Sequence, residues 1–290
     1  MVRPVVGVAG SNARGPELAN IWGTALVGAG AARGVDMSRF WLALLGNFEC
    51  DRDGRLVAFP AGRLRVLVTA LALRPERVVT VDELVDQVWG DDPPNAARVT
   101  LRGCVKRLRR LLDDRPGTSA IRSVRDGYRL DIAADEVDVH RFRSLVAGAG
   151  RASDRSGEAR LLDEALSLWR GPPMCDLDSE VLQREVVPAL HEQRRHAQHR
   201  RIELGLQRGE HGRFVPELRT LVAREPLQEQ FWALLLLALL QTGRQAEALR
   251  EYQRCRDALA DALGVEPSRP LRTLHQRMLD GSAELALDSA

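Results

Sequence analysis

Residues 96–112, AARVTLRGCVKRLRRLL, carry Arg98, Arg102, Lys106, Arg107, Arg109 and Arg110 without one acidic residue. Guanidinium and ammonium groups at this density suit phosphate or carboxylate. On a helix, at about 100° per residue, Leu101, Val105, Leu108 and Leu112 fall within about 60° of one another, an apolar stripe that would seat the segment on a core. Gly103, Lys106, Arg107 and Arg110 then point away from that core, and Gly103, with no side chain, leaves room for close approach to a partner. A helix whose charges only meet solvent interleaves acids that pair at i,i+4. This segment has none, so an anionic partner is expected.

The rest of the chain sharpens that contrast. Overall charge is nearly balanced, with 42 basic and 40 acidic residues in 290, but residues 94–130 hold 10 basic against 3 acidic. Residues 38–130 hold 17 against 12, and residues 131–290 reverse the sign with 22 against 26. A local excess of this kind is the footprint of a nucleic-acid contact. Lys106 is the only lysine, a bias attributable to GC-rich codon usage, so placement rather than arginine abundance carries the argument.

Length and a hydrophobic content of 44% allow about two packed domains. The longest apolar run, FWALLLLALL at 231–240, is well short of the ~20 residues needed to span a bilayer, and reads as a buried helix. Cys50, Cys104, Cys175 and Cys255 are spaced for neither a disulfide framework nor zinc; buried free thiols in a cytoplasmic protein are expected. The first 36 residues show no clean strand or helix pattern and no convincing export signal, so Met37 reads as the physiological start. GVAGSNARG lacks the Lys-Ser/Thr of a phosphate loop, and GAGAARG places Arg33 where a dinucleotide-binding glycine would stand. His191 and His196 are five apart, which swings their rings about 140° apart on a helix and denies them the HExxH geometry. His196 and His199, three apart, could share only an adventitious metal. No catalytic constellation stands out; no enzyme activity, cofactor or metal is expected.

The elements that must position the basic helix follow in order. FWLALLGNFECDRDGRLVAF reads as two short strands around DRDG, and GRLRVLVTALALRP as a helix closed by Pro75. VVTVDELVDQVWG is an extended piece and a helix capped by Thr80 and stopped by Gly90; Asn95 is the expected cap of the basic helix. IRSVRDGYRLDI forms a second hairpin bending at RDGY. From 136 onward only helices are expected, at about 138–151, 156–169, 180–208, 212–224, 228–242, 245–263 and 268–280. ALLQTGRQAEALREYQRCRDAL resembles a tetratricopeptide unit, with Gly243 at the turn and Ala246, Ala248 and Tyr252 in the next helix.

Helix-turn-helix followed by a hairpin is a winged helix, and LLGNFECDRDGR, VVTVDELVDQVWGDDPPNAAR, VKRLRRLL and RDGYRLDIAADEVDVHRF resemble the Streptomyces antibiotic regulatory protein family. ALSLWRGPPMCDL and the stretch from REPLQEQFW to LHQRML match its second half, so the resemblance covers about residues 40–282. It implies an α+β OmpR/PhoB-type winged helix-turn-helix at 38–134 and an all-α, tetratricopeptide-like bacterial transcriptional activation domain at 135–282. An extension at 1–37 and a tail at 283–290 flank them. No receiver or ATPase module is evident, which implies a small, phosphorelay-independent member.

The resemblance also implies roles. Thr100, Lys106 and Arg109 would contact phosphates; Gly103 and Arg107 would face base edges, with Arg102 an additional reader. Ser123 in the wing would meet a phosphate and Arg125 the minor groove. Trp89 would approach a phosphate from its loop, although a core tryptophan is an equal reading. Family members carry larger or more polar residues at the positions of Gly103 and Cys104. The implied function is activation of antibiotic biosynthesis genes: a tandem dimer on direct repeats of double-stranded DNA near the −35 region recruits RNA polymerase holoenzyme. The alternative is a helical-repeat adaptor whose basic helix binds an acidic protein.

Overall fold

The computed structural model describes residues 40–60, 62–112 and 119–280; the expected extension at 1–37, with Met37, and the tail at 283–290 lie outside the described residues. It opens with an antiparallel sheet of β1 (Phe40–Ala43), β2 (Glu49–Arg52) and β3 (Arg55–Leu56), in which Trp41 faces Asp51 and Arg52 faces Arg55. DRDG does make a turn, with Asp53 and Gly54 both at positive φ, but it joins β2 to a two-residue β3. A further strand precedes it, where two strands in all were expected. The reason lies in LLGNF: the amides of Leu44 and Leu45 leave the ladder and donate to the carboxylate of Asp138, each at 2.8 Å.

Helix α1 (Arg63–Ala72) is apolar on most of its circumference and buries Leu64 and Val66 through Ala72. After β4 (Val78–Thr80) comes α2 (Val81–Trp89), whose start is a capping box: Thr80 Oγ1 accepts from Glu83 N, and the Glu83 carboxylate accepts from Thr80 N. Gly90, at φ 56°, closes it. The basic segment is α3 (Ala97–Leu112). Its first turn is closed by Thr100 N donating to Ala96 O, so Ala96 occupies the position expected of Asn95. β5 (Ile121–Val124) and β6 (Gly127–Leu130) form the hairpin, and β4 adds to it in the order β4-β6-β5. A Cβ on Gly127 would lie 2.3 Å from Val79 O, so only glycine lets β4 close on the hairpin there.

Beyond a 3₁₀ turn at Ala134–Glu136 the chain is helical: α4 (Asp138–Ala149), α5 (Arg155–Ser167), α6 (Glu180–Glu185), α7 (Val187–Gln207), α8 (His211–Arg224), α9 (Glu229–Gln241), α10 (Gln245–Leu263) and α11 (Arg269–Leu279). The single helix expected at 180–208 is broken at Val186, because Pro188 has no N–H to donate to the carbonyl four residues back and its ring crowds that carbonyl, so it stands in the first turn of a new helix. Gly243, at φ 73°, makes the turn between α9 and α10. Ala248 and Tyr252 pack inward, while Ala246 is exposed.

Two apolar cores result. The first runs from Leu42 to Leu204 and takes in the sheets, α1–α3 and the inward faces of α4 and α5; the second runs from Ile202 to Met278. α7 belongs to both, with Leu190, Ala197 and Leu204 in one and Ile202 and Leu206 in the other. Packing thus continues across the division expected near residue 134. Cys50 and Cys255 are buried, and burial pushes both thiols up to about 12. Cys175, expected to be buried, is exposed, and Cys104 is half-buried.

At the junction Asp138 is 1% exposed. Besides Leu44 and Leu45 it has the Arg170 guanidinium at 3.9 Å, and Arg170 also reaches Glu49 and the Asn47 carbonyl. Desolvation outweighs these contacts and raises the Asp138 carboxyl to about 6.

Candidate nucleic-acid interface

Folding fixes the orientation of α3 through Leu101, Val105, Leu108 and Leu112, each at most 2% exposed. The opposite face presents Arg102, Gly103, Lys106, Arg107 and Arg110, all exposed. Among the described residues no carboxylate lies within ion-pair distance of those four cations. A Cβ placed on Gly103 meets nothing within 4 Å, so the glycine answers no packing demand of the fold.

The other sequence-predicted residues have tasks inside the protein. Arg98 donates to both oxygens of Asp82 at the start of α2, at 2.7 and 3.0 Å. Thr100 Oγ1 donates to Ala96 O at 3.1 Å. Arg109 crosses to the wing, giving Nε to Ile121 O at 3.0 Å and a terminal nitrogen to Ser123 Oγ at 2.9 Å. It therefore sets the hairpin's position against α3 and is committed to that contact. At the wing tip Arg125 is 95% exposed, with Asp126 3.9 Å away. Trp89 ends α2 half-buried beneath the Arg63 guanidinium, 5.5 Å from the ring centre. Its Nε1–H is shielded from solvent and has no acceptor among the described residues.

One further cation joins the face without a signal in the sequence. Arg63, from the start of α1, lines an open cleft with Pro60, Leu64, Thr100, Cys104 and Arg107. Burial raises the Cys104 thiol there, and Arg107 and Arg63 oppose the rise. Arg63 stands outside the basic run; its proximity comes only from the packing of α1 onto α3. Arg122, exposed on β5, is paired with Asp131. Among the described residues no group of three or more His, Cys, Asp or Glu is placed to hold a metal ion, and no helix is long and apolar enough to cross a membrane.

The surface is thus a cationic helix seated on a core, a hairpin pinned beside it and a cleft at its flank. Comparison with known proteins gives this surface its setting. Residues 61–130 match the family described as transcriptional regulatory protein, C terminal, and residues 137–279 match the bacterial transcriptional activator domain. The regulatory protein DnrI of Streptomyces peucetius is 33% identical over 247 residues, which cover 81% of this chain and 90% of that protein. The chain belongs to the Streptomyces antibiotic regulatory protein family. The family relative AfsR of Streptomyces coelicolor is 38% identical over 251 residues, 85% of this chain but 25% of AfsR, so the chain spans about a quarter of that larger protein. A solved structure of Mycobacterium tuberculosis EmbR, in complex with a low affinity phosphopeptide, superposes with a TM-score of 0.79 at 30% identity. That alignment covers 84% of this chain and 66% of EmbR. The winged α+β half followed by an all-helical half is therefore the family architecture.

Proposed function

We propose that this regulator is a sequence-specific activator that lays α3 in the major groove of duplex DNA, with the wing reaching the adjacent minor groove. Tandem copies bind direct repeats near the −35 region of antibiotic biosynthesis genes, and contacts from the helical half hold RNA polymerase holoenzyme. The observation that carries this reading is the cationic face of α3, without a carboxylate partner among the described residues and turned away from its buried stripe. Phosphate contacts through Lys106 and Arg110 supply affinity and salt dependence; Arg107, bidentate to a guanine, supplies discrimination, with Arg102 beside it. Arg125 suits a narrow minor groove, where the negative potential is strongest. Arg98, Thr100, Arg109, Ser123 and Trp89 serve this surface mainly by shaping it, since each is engaged or packed within the protein.

The test is selection of duplexes from random DNA by the full chain, followed by salt titration on the selected site. Two phosphate contacts from one copy predict a fall in affinity of roughly 10-fold between 50 and 200 mM salt, and inserting about half a helical turn (~5 bp) between two repeats abolishes cooperative pairing. Failure to enrich any sequence, together with tight salt-sensitive capture of an acidic protein, would replace this reading with the adaptor.

A further inference from the structure

One apolar side chain stands on the cationic face. Val99 is 64% exposed, although every other valine and leucine of α3 but the half-buried Leu111 is at most 2% exposed. Of the exposed large apolar side chains among the described residues, it is the one carried by α3. At about 100° per residue it points within about 60° of Arg102, Gly103, Lys106 and Arg110, and some 150° from the centre of the buried stripe. Packing within the protein does not account for it. Helix propensity does not either, because a β-branched valine is a poorer helix former than alanine.

Its surroundings define what it fits. The residues sharing its face are three cations, at i+3, i+7 and i+11, without acidic partners among the described residues, and between the first two a glycine with open space above it. The partner must therefore offer negative groups on either side of an apolar one, at close range. In a duplex, phosphates flank the groove, and the C5 methyl of thymine is the apolar group that the major groove displays. Val99 is the third residue of α3, and in helix-turn-helix docking the N-terminal residues of the reading helix contact base edges. We propose that Val99 reads a thymine methyl and is a specificity-determining residue. The inference rests on the DNA-binding reading above and deepens it.

Deoxyuridine tests it, because it differs from thymidine only by that methyl and keeps the pairing edge. Each thymine of the selected site is replaced in turn, and affinity is measured with the full chain and with Val99→Ala and Val99→Thr. Burying one methyl against valine is worth about 3–5-fold in affinity, so wild type should lose that much at one position per half-site. Val99→Ala should bind the thymine and uracil forms equally, near the wild-type level on uracil, with an unchanged thermal melt because the side chain is exposed. Val99→Thr, which keeps one methyl, should retain part of the difference. Sequence-specific binding with no position sensitive to uracil, or undiminished sensitivity in Val99→Ala, overturns the role of Val99 and leaves the DNA reading standing. Binding without preference for any duplex overturns both.

Discussion

The same residue type does opposite work in the two halves. In the helical half arginines are spent on carboxylates: Arg200 on Glu158 and Glu203, Arg201 on Asp163 and Glu217, Arg219 and Arg244 on Glu247, Arg256 on Glu266. On α3, Arg102, Lys106, Arg107 and Arg110 have no such partner among the described residues. In those pairs the charge closes within the protein, whereas on α3 four neighbouring cations stay open. Near-zero net charge conceals this difference, and what sets α3 apart is the clustering of such cations on one helix face, since Arg155, Arg160 and Arg250 of the helical half, scattered and exposed, also lack a carboxylate partner among the described residues.

The contrast breaks most severely at Asp138, a carboxylate of the helical half that serves the winged half. Replacing it with alanine strands two buried amide donors, so Asp138→Ala should cost about 2–6 kcal/mol in chemical denaturation, while Asp138→Asn, which can still accept, should cost less. Its pH signature has a definite sign. The folded carboxyl lies at about 6, above its ordinary value of 3.8, so folding favours the protonated form. The stability from this group is complete below about pH 4 and is lost as pH rises through about 6. Denaturation midpoints across pH 4–7 should show that slope in the wild type and lack it in Asp138→Asn; identical profiles would remove Asp138 from the account.

Arginine replacements sharpen the comparison directly. Arg107→Ala should cost about 1–3 kcal/mol in binding and relax preference at one base of each half-site, while Lys106→Ala weakens specific and random duplexes alike. Equal losses on both DNAs for both variants would contradict the assigned roles. Gly103→Ala probes the same face from the side of stability. With open space at the Cβ position, it should raise stability by about 0.5–1 kcal/mol and still weaken binding to the selected duplex, because the added methyl stands between helix and base edges. Arg256→Ala, which breaks an exposed ion pair with Glu266, should leave both stability and DNA binding nearly untouched.

Legibility in the sequence followed the range of the interactions. The buried stripe of α3, the Thr80–Glu83 capping box and the Gly90 and Gly243 turns are set by residues a few positions apart, and periodicity or turn chemistry exposes them. The break at Val186 was local too, but Pro188 sat inside a long helical pattern and was overrun by it. The capture of Leu44 and Leu45 by Asp138 spans 94 and 93 residues; no local pattern marks it, so the third strand and the continuous core stayed hidden. On the candidate surface the cations could be read off the chain. Their partners could not: that Arg98 meets Asp82 and Arg109 meets the wing, whereas Arg107 meets no carboxylate, depends on how the elements fold over one another.

The shared core has a consequence for timing along the double helix. Because α3 and the first helices of the helical half are seated in one apolar cluster, with Asp138 clamped across the junction, the described residues at that junction form no free linker on which one half could swivel on the other. On the proposed function, this build presents any polymerase-facing surface of the helical half at a fixed azimuth to the bases under α3. Each base pair inserted between operator and promoter turns that surface by about 35°, at ~10–10.5 bp per turn. Output should then rise and fall with helical phase, with the chain acting as a set square laid against DNA.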